Sequence, residues 1–293
     1  MASPIATDLS TALALLASAF LGTAVVIANV GLRYLDPARG ALVSIPSTTL
    51  FFWLLAAFLF RGEGWNATAF AIFAVVGLVF PALVTFLNFA SNRLAGPTVA
   101  GTVSSTTPLF AVLGAMLFLS EPLTPAAAAG TAAIVLGVIA LTARGAARPR
   151  TWAAWVILLP LAGAAVRGGA QAAVKGGLVL WPDPFVAALV GYTVSSVTIF
   201  ASNRAFVPRA SATVDRRGIF WFMAVGLCNG VGVLAMYAAL NRGQVSVVSP
   251  LVATYPLFTL ALSAMFLREE RFGPRVLLGV ALTVAGVAVL ARA

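Results

Sequence analysis

Long apolar stretches separated by short polar punctuation make up almost the whole chain. Ten of them, each about 20 residues long, run over 10–32, 39–60, 67–91, 97–119, 125–143, 152–175, 184–202, 218–240, 245–267 and 274–291. A helix rises about 1.5 Å per residue, so each run is long enough to cross a hydrocarbon layer. The punctuation is charged or turn-forming: Asp36-Pro37, Arg61 to Gly64, Asn92-Arg93, Ser120-Glu121-Pro122, Arg144 to Arg150, Trp181 to Pro184, Arg204 to Arg217, Asn241 to Gly243, and Arg268 to Gly273. The runs are continuous rather than alternating, which predicts helices and argues against a lipid-exposed β-barrel. The expected fold is an all-α polytopic membrane protein with ten transmembrane helices. The longest connection, 203–218, reads as a polar loop, so no inserted soluble domain is expected. Ala17-Ser18-Ala19 resembles a signal cleavage site, but no basic segment precedes it, so the first run is read as a retained helix.

Composition agrees with that pattern. Of 293 residues 61% are hydrophobic and 9% charged, and the mean hydropathy is +1.03. A soluble domain carries about 25% charged residues, and disordered chains are poor in hydrophobics, so both classes are excluded. The net charge of +10 comes from basic residues scattered between apolar runs. Such a distribution suits anionic lipid headgroups and orientation in a bilayer rather than nucleic acid. With one cysteine, Cys228, and no histidine, no disulfide framework, metal site or histidine-based catalysis is expected. No phosphate-binding loop is present either, so no cofactor and no enzymatic activity are expected.

The chain repeats itself. Displaced by 149 positions, Phe73, Val76, Gly77, Leu78, Val84, Ala90, Asn92 and Arg93 meet identical residues at 222, 225, 226, 227, 233, 239, 241 and 242. Displaced by 148, Thr106, Pro108-Leu109-Phe110, Phe118-Leu119 and Glu121 meet Thr254, Pro256-Leu257-Phe258, Phe266-Leu267 and Glu269; at 147, Asp36-Pro37 meets Asp183-Pro184. Each unit holds five spans, and tandem copies of an odd number of spans must lie in opposite orientations. That is the inverted-repeat plan of many secondary transporters, with the site near the midplane. The loops agree: the connection after span 2 carries Arg61 alone, whereas its counterpart after span 7 carries Arg204, Arg209, Arg216 and Arg217.

Ten spans in two repeats, with Thr-Thr-Pro-Leu-Phe…Phe-Leu-Ser-Glu-Pro-Leu-Thr over 106–124 and Thr-Tyr-Pro-Leu-Phe…Phe-Leu-Arg-Glu-Glu over 254–270, resemble the drug/metabolite transporter superfamily. Within it the chain resembles the EamA-type exporters and the YddG-like amino-acid exporters. The resemblance implies repeats over 1–146 and 147–293 forming one transport domain. It also implies alternating access around a central cavity, in a multi-pass protein of the bacterial inner membrane. Amino acids, and drug-like cations, are the substrates it implies, with export the direction. No obligatory protein partner is evident.

Candidate site residues follow from depth. Arg167, Gln171 and Lys175 are spaced i, i+4, i+8 on one face of span 6. A charge at membrane depth must face the protein interior or water. Arg167 would attract a carboxylate; alternatively it holds backbone carbonyls of a broken helix while Lys175 snorkels to the interface. Pro108 and Pro256, near the middles of spans 4 and 9, should kink both helices and orphan the carbonyls of Ser104 and Val252. The hydroxyls nearby, Ser104, Thr107, Ser249, Thr254 and Tyr255 among them, could line a cavity or bond their own backbone. Phe80, Asn88, Asn229 and Tyr237 pair across the repeat (80 with 229, 88 with 237), and Asn29, Tyr192 and Ser195 complete the polar inventory. Pro81, Gly77 and Gly226 join the two prolines as kink or hinge candidates.

All eight acidic residues lie at span ends or in loops, so facilitated transport is expected in preference to tight proton coupling. The rival readings are a phosphate-sugar or nucleotide-sugar antiporter, and a membrane enzyme or scaffold that transports nothing. Orientation is contested. The odd-numbered connections hold 13 Lys and Arg against 4 for the even ones and C-terminus, which puts both termini outside by the positive-inside rule. The resemblance implies cytoplasmic termini; the reading follows the charges.

Overall fold

Helix starts are written locally. Asp36 and Asp183, equivalent in the two repeats, each precede a proline at the first helical position, where a missing N–H costs nothing. Asp36 accepts from the Arg39 N–H at 3.0 Å, and Asp183 accepts from Phe185 and Val186 at 2.9 and 3.1 Å. These are side-chain caps satisfying otherwise unpaired donors.

The computed structural model describes residues 4–60, 63–95, 97–142, 154–206, 215–266 and 273–292. Its helices are α1 (Pro4–Gly31), α2 (Pro37–Leu59), α3 (Ala67–Val79), α4 (Ala82–Leu94), α5 (Pro97–Ser104), α6 (Thr107–Leu119) and α7 (Pro125–Thr142). There follow, after a 3-10 turn at Ala154–Ile157, α8 (Leu158–Leu180), α9 (Pro184–Phe206), α10 (Arg216–Arg242), α11 (Val245–Val252), α12 (Tyr255–Phe266) and α13 (Pro274–Leu290). The pairs α3–α4, α5–α6 and α11–α12 are spans 3, 4 and 9, each in two pieces. Among the described residues nine spans are long and apolar enough to cross a membrane, and the tenth, α13, is a shorter apolar helix. The arginines at 61, 144, 148, 150, 209, 268 and 271, with Trp152, Leu267, Glu269 and Glu270, lie outside the described residues.

The breaks differ from the expected mid-helix kinks. Pro108 and Pro256 are the second residues of α6 and α12, where proline is tolerated, and the backbone turns just before them. The same bonds close both breaks. Thr106 Oγ1 donates to Val103 O and Thr254 Oγ1 to Leu251 O, each at 2.7 Å. The Ser104 carbonyl, expected to be orphaned, accepts from Thr107 Oγ1 at 2.7 Å. Span 3 breaks at Pro81, and Ser195 of α9 caps the free Ala82 N–H at 3.2 Å. Its counterpart α10 carries Gly230 in place of that proline and stays continuous. Span 6 is displaced from the expected 152–175: α8 continues past Lys175 because Gly176 to Leu180 keeps the run apolar.

Packing is mostly between repeats and follows a pseudo-twofold axis. α1 lies along α10, and its mate α8 lies along α3 and α4; α2 packs on α10, and α9 on α3. Two helix pairs straddle the axis, α2 with α9 and α7 with α13. Thr49 and Ser196, 147 residues apart, meet their own repeat mates there at 2.7 Å. Gly77 and Gly226, kink or hinge candidates by sequence, stand at helix crossings. A methyl on Gly226 would sit 2.6 Å from Ser44 O, and one on Gly77 would strike Gly191 O. The outer surface is apolar, with Phe58 and Phe118 more than 80% exposed, as lipid contact requires.

Candidate functional site

The broken spans surround a central cavity of about 470 Å³. α4 and α5 supply Asn88 and Ser104, and the break in span 4 Ser105; α6 supplies Thr107, and Phe80 and Pro81 come from the break in span 3. α8 supplies Arg167 and Gln171, α9 Tyr192, α10 Asn229, α11 Ser249 and α12 Tyr255. Leu21, Val25, Val233 and Met236 provide apolar wall. Helix breaks are tolerated at this depth because they border a cavity, where water or protein satisfies the freed backbone groups.

Polarity is distributed unevenly within it. Arg167, the tenth residue of α8, is half-buried and makes no ion pair or hydrogen bond among the described residues. Gln171 Oε1 and Ser249 Oγ are buried without a hydrogen-bond partner, although both residues line the cavity. Buried polar atoms in folded proteins are nearly always paired. The cavity lining thus combines a guanidinium with spare donors and two residues whose buried oxygens lack partners. Among the described residues no Asp or Glu lines the cavity.

A second chamber of about 220 Å³ shares Pro81, Tyr192 and Asn229 with the first. It follows α1 and α2 to Leu32 and Pro37, at the α1–α2 connection. The lining thus runs from mid-membrane to the face that carries the arginine-rich connections.

Four candidates lie apart from the cavity. Lys175 does not share its space with Arg167: its Nζ donates to Leu240 O and Gly243 O at 2.7 and 2.9 Å, capping the C-terminal end of α10. One more turn along α8 carries a side chain out of the cavity and into the opposite face. Asn29 is exposed on α1. Tyr237 is buried in the core rather than lining the space. Thr254 is buried, with its hydroxyl spent on Leu251 O and on Ser18 at 2.9 Å. Trp181, at the end of span 6, is buried and donates to Glu63 O at 3.0 Å. The apolar lining residues carry no signal in sequence that separates them from lipid-facing ones.

Residues 9–143 and 152–292 each match the EamA-like transporter family. A search of curated proteins finds no similar sequence. Among solved structures the chain resembles one described as "Crystal structure of protein", with TM-score 0.82 and 18% identity over 96% of this chain and 95% of that one, a likeness of fold. Two matched segments that together span nearly all of a ten-span, inverted-repeat chain place this membrane protein in the EamA-like transporter family.

Proposed function

We propose that this transporter carries amino acids and related small carboxylates, exporting them across the inner membrane of a bacterium by exchange or facilitated diffusion. The observation that carries the reading is Arg167, an unpaired guanidinium in a cavity with no acidic lining residue among those described. A carboxylate would complete its hydrogen bonds in the bidentate geometry that guanidinium favours. Gln171 and Ser249 offer acceptors for an ammonium or amide. The missing carboxylate disfavours drug-like cations, and one cation is few for a phosphorylated sugar, since Lys175 is engaged elsewhere. With no Asp or Glu in the cavity, exchange or facilitated diffusion fits better than proton relay.

Counterflow in proteoliposomes, with an amino-acid panel against aliphatic amines and sugar phosphates, tests this. Saturable exchange is expected for carboxylates. Charge-assisted bonds contribute about 1.5–3 kcal/mol, so Arg167→Ala should weaken carboxylate exchange about tenfold or more, while Arg167→Lys keeps part of it. Exchange of amines or sugar phosphates only, or equal loss for all classes with lowered thermal stability, would sink the reading.

A further inference from the structure

The repeated block Phe-Leu-x-Glu has no role in the cavity, yet its first glutamate is engaged across the repeat boundary. Glu121, just after α6, accepts the Val245 and Ser246 N–H groups at 3.1 and 3.3 Å, the first residues of α11. On the other side of the same connection, Lys175 grips Leu240 O and Gly243 O at the end of α10. The α10–α11 connection is thus held at both ends: an anion at a helix N-terminus and a cation at a helix C-terminus. Both signs agree with the helix dipoles.

This face is sealed around that connection. Ser10 Oγ donates to Ala239 O at 3.2 Å, tying α1 to α10. Gly243 is wedged between α1 and α11: a methyl there would strike the Ser10 hydroxyl and lie 3.2 Å from a Val248 methyl group. Val248 beneath it is fully buried. The cavity floor, Gln171 and Ser249, lies one turn inward from these groups.

We propose that Glu121 and Lys175 are the positioning residues that clamp the arginine-poor face of this transporter shut, and that each transport cycle releases the α10–α11 connection from both. Placement near the membrane surface, with Glu121 just past the end of α6 and Lys175 five residues before the end of α8, makes the clamp reversible. When the face opens, water replaces the backbone partners of each charge, so release does not strand a charge in hydrocarbon. The same charges at the midplane would make a permanent staple.

The test is sidedness of labelling, which needs no knowledge of the substrate and so fails independently of the amino-acid reading. Val248→Cys on a Cys228→Ala background, reconstituted in vesicles of known orientation, is exposed to a membrane-impermeant maleimide from the arginine-poor face. Labelling should be slow with the clamp intact. Glu121→Ala and Lys175→Met should each speed it by about tenfold or more, Glu121→Gln by less, and Gly243→Val should do the same by wedging the face open. Asp36→Ala, which removes a helix cap at the opposite face, should leave the rate unchanged. Should Glu121→Ala fail to fold, Glu121→Gln and Lys175→Met carry the comparison. Unchanged labelling in the clamp variants, or an equal rise with Asp36→Ala, overturns the proposal.

Discussion

At the scale of single residues, polar side chains around the cavity differ in how their hydrogen-bonding atoms are spent. Gln171 and Ser249 keep buried oxygens without partners, whereas the hydroxyls of Thr254 and Thr107 are spent on backbone carbonyls. An unsatisfied buried polar group costs about 1–3 kcal/mol. Gln171→Leu should therefore leave the melting temperature in detergent unchanged or raise it, while weakening substrate binding in the same preparation. A fall in both together would mean that Gln171 holds the fold rather than the ligand. Of the i, i+4, i+8 face on α8, the sequence periodicity predicts one shared stripe. Periodicity gives direction around the helix axis but says nothing about where along that axis the cavity stops, so Lys175 falls to the sealed face.

The element scale is governed by how a helix can break inside a membrane. Prolines at 108 and 256 announce an interruption, and each starts a new helix instead of bending an old one. The repair falls to threonines two residues earlier. Thr254 has a double duty, since Ser18 of α1 also meets its hydroxyl at 2.9 Å. Thr254→Val should leave Ser18 without that partner and cost about 1–2 kcal/mol, read as a drop in thermal stability larger than that of Thr259→Val. Thr259 bridges to Gly22 O at 3.2 Å from a less buried position. An equal or smaller drop would show that the break closes without its hydroxyl. The prolines were legible from sequence, but the site of the break was not. It depends on Thr106 and Thr254 competing successfully for carbonyls that an ordinary helix would use itself.

At the scale of the whole molecule, the pseudo-twofold makes equivalent substitutions equivalent in effect. Gly137 on α7 and its repeat mate Gly286 on α13 lie in one crossing, and a methyl on either would sit 2.8 Å from a backbone oxygen, Gly279 O or Gly130 O. Small residues at such crossings let helix backbones approach without a hydrophobic driving force. Overpacking costs about 1–3 kcal/mol, so Gly137→Ala and Gly286→Ala should lower thermal stability by similar amounts. A large effect at one and none at the other would mean that the two halves do not share that axis. The same symmetry is unequal where function differs: Pro81 breaks span 3, whereas Gly230 leaves α10 whole, and Arg167 has no basic counterpart, its mate being Phe20.

The sequence alone determined the solvent, the helices and the duplication, because all three are one-dimensional. Run length sets what spans a bilayer, capping residues set where helices begin, and an odd number of spans per repeat forces inversion. It also marked Arg167 and Gln171, since a charge at membrane depth must find an interior. Tertiary structure decided the rest: that Lys175 caps the end of α10 instead of lining the cavity, that Gly77 and Gly226 stand at helix crossings, and that Thr254 is spent on its own backbone. Those outcomes depend on which helix of the opposite repeat stands beside each residue. Lipid-facing and cavity-facing positions are equally apolar, so hydropathy cannot tell them apart, and only the packing of one repeat against the other assigns them.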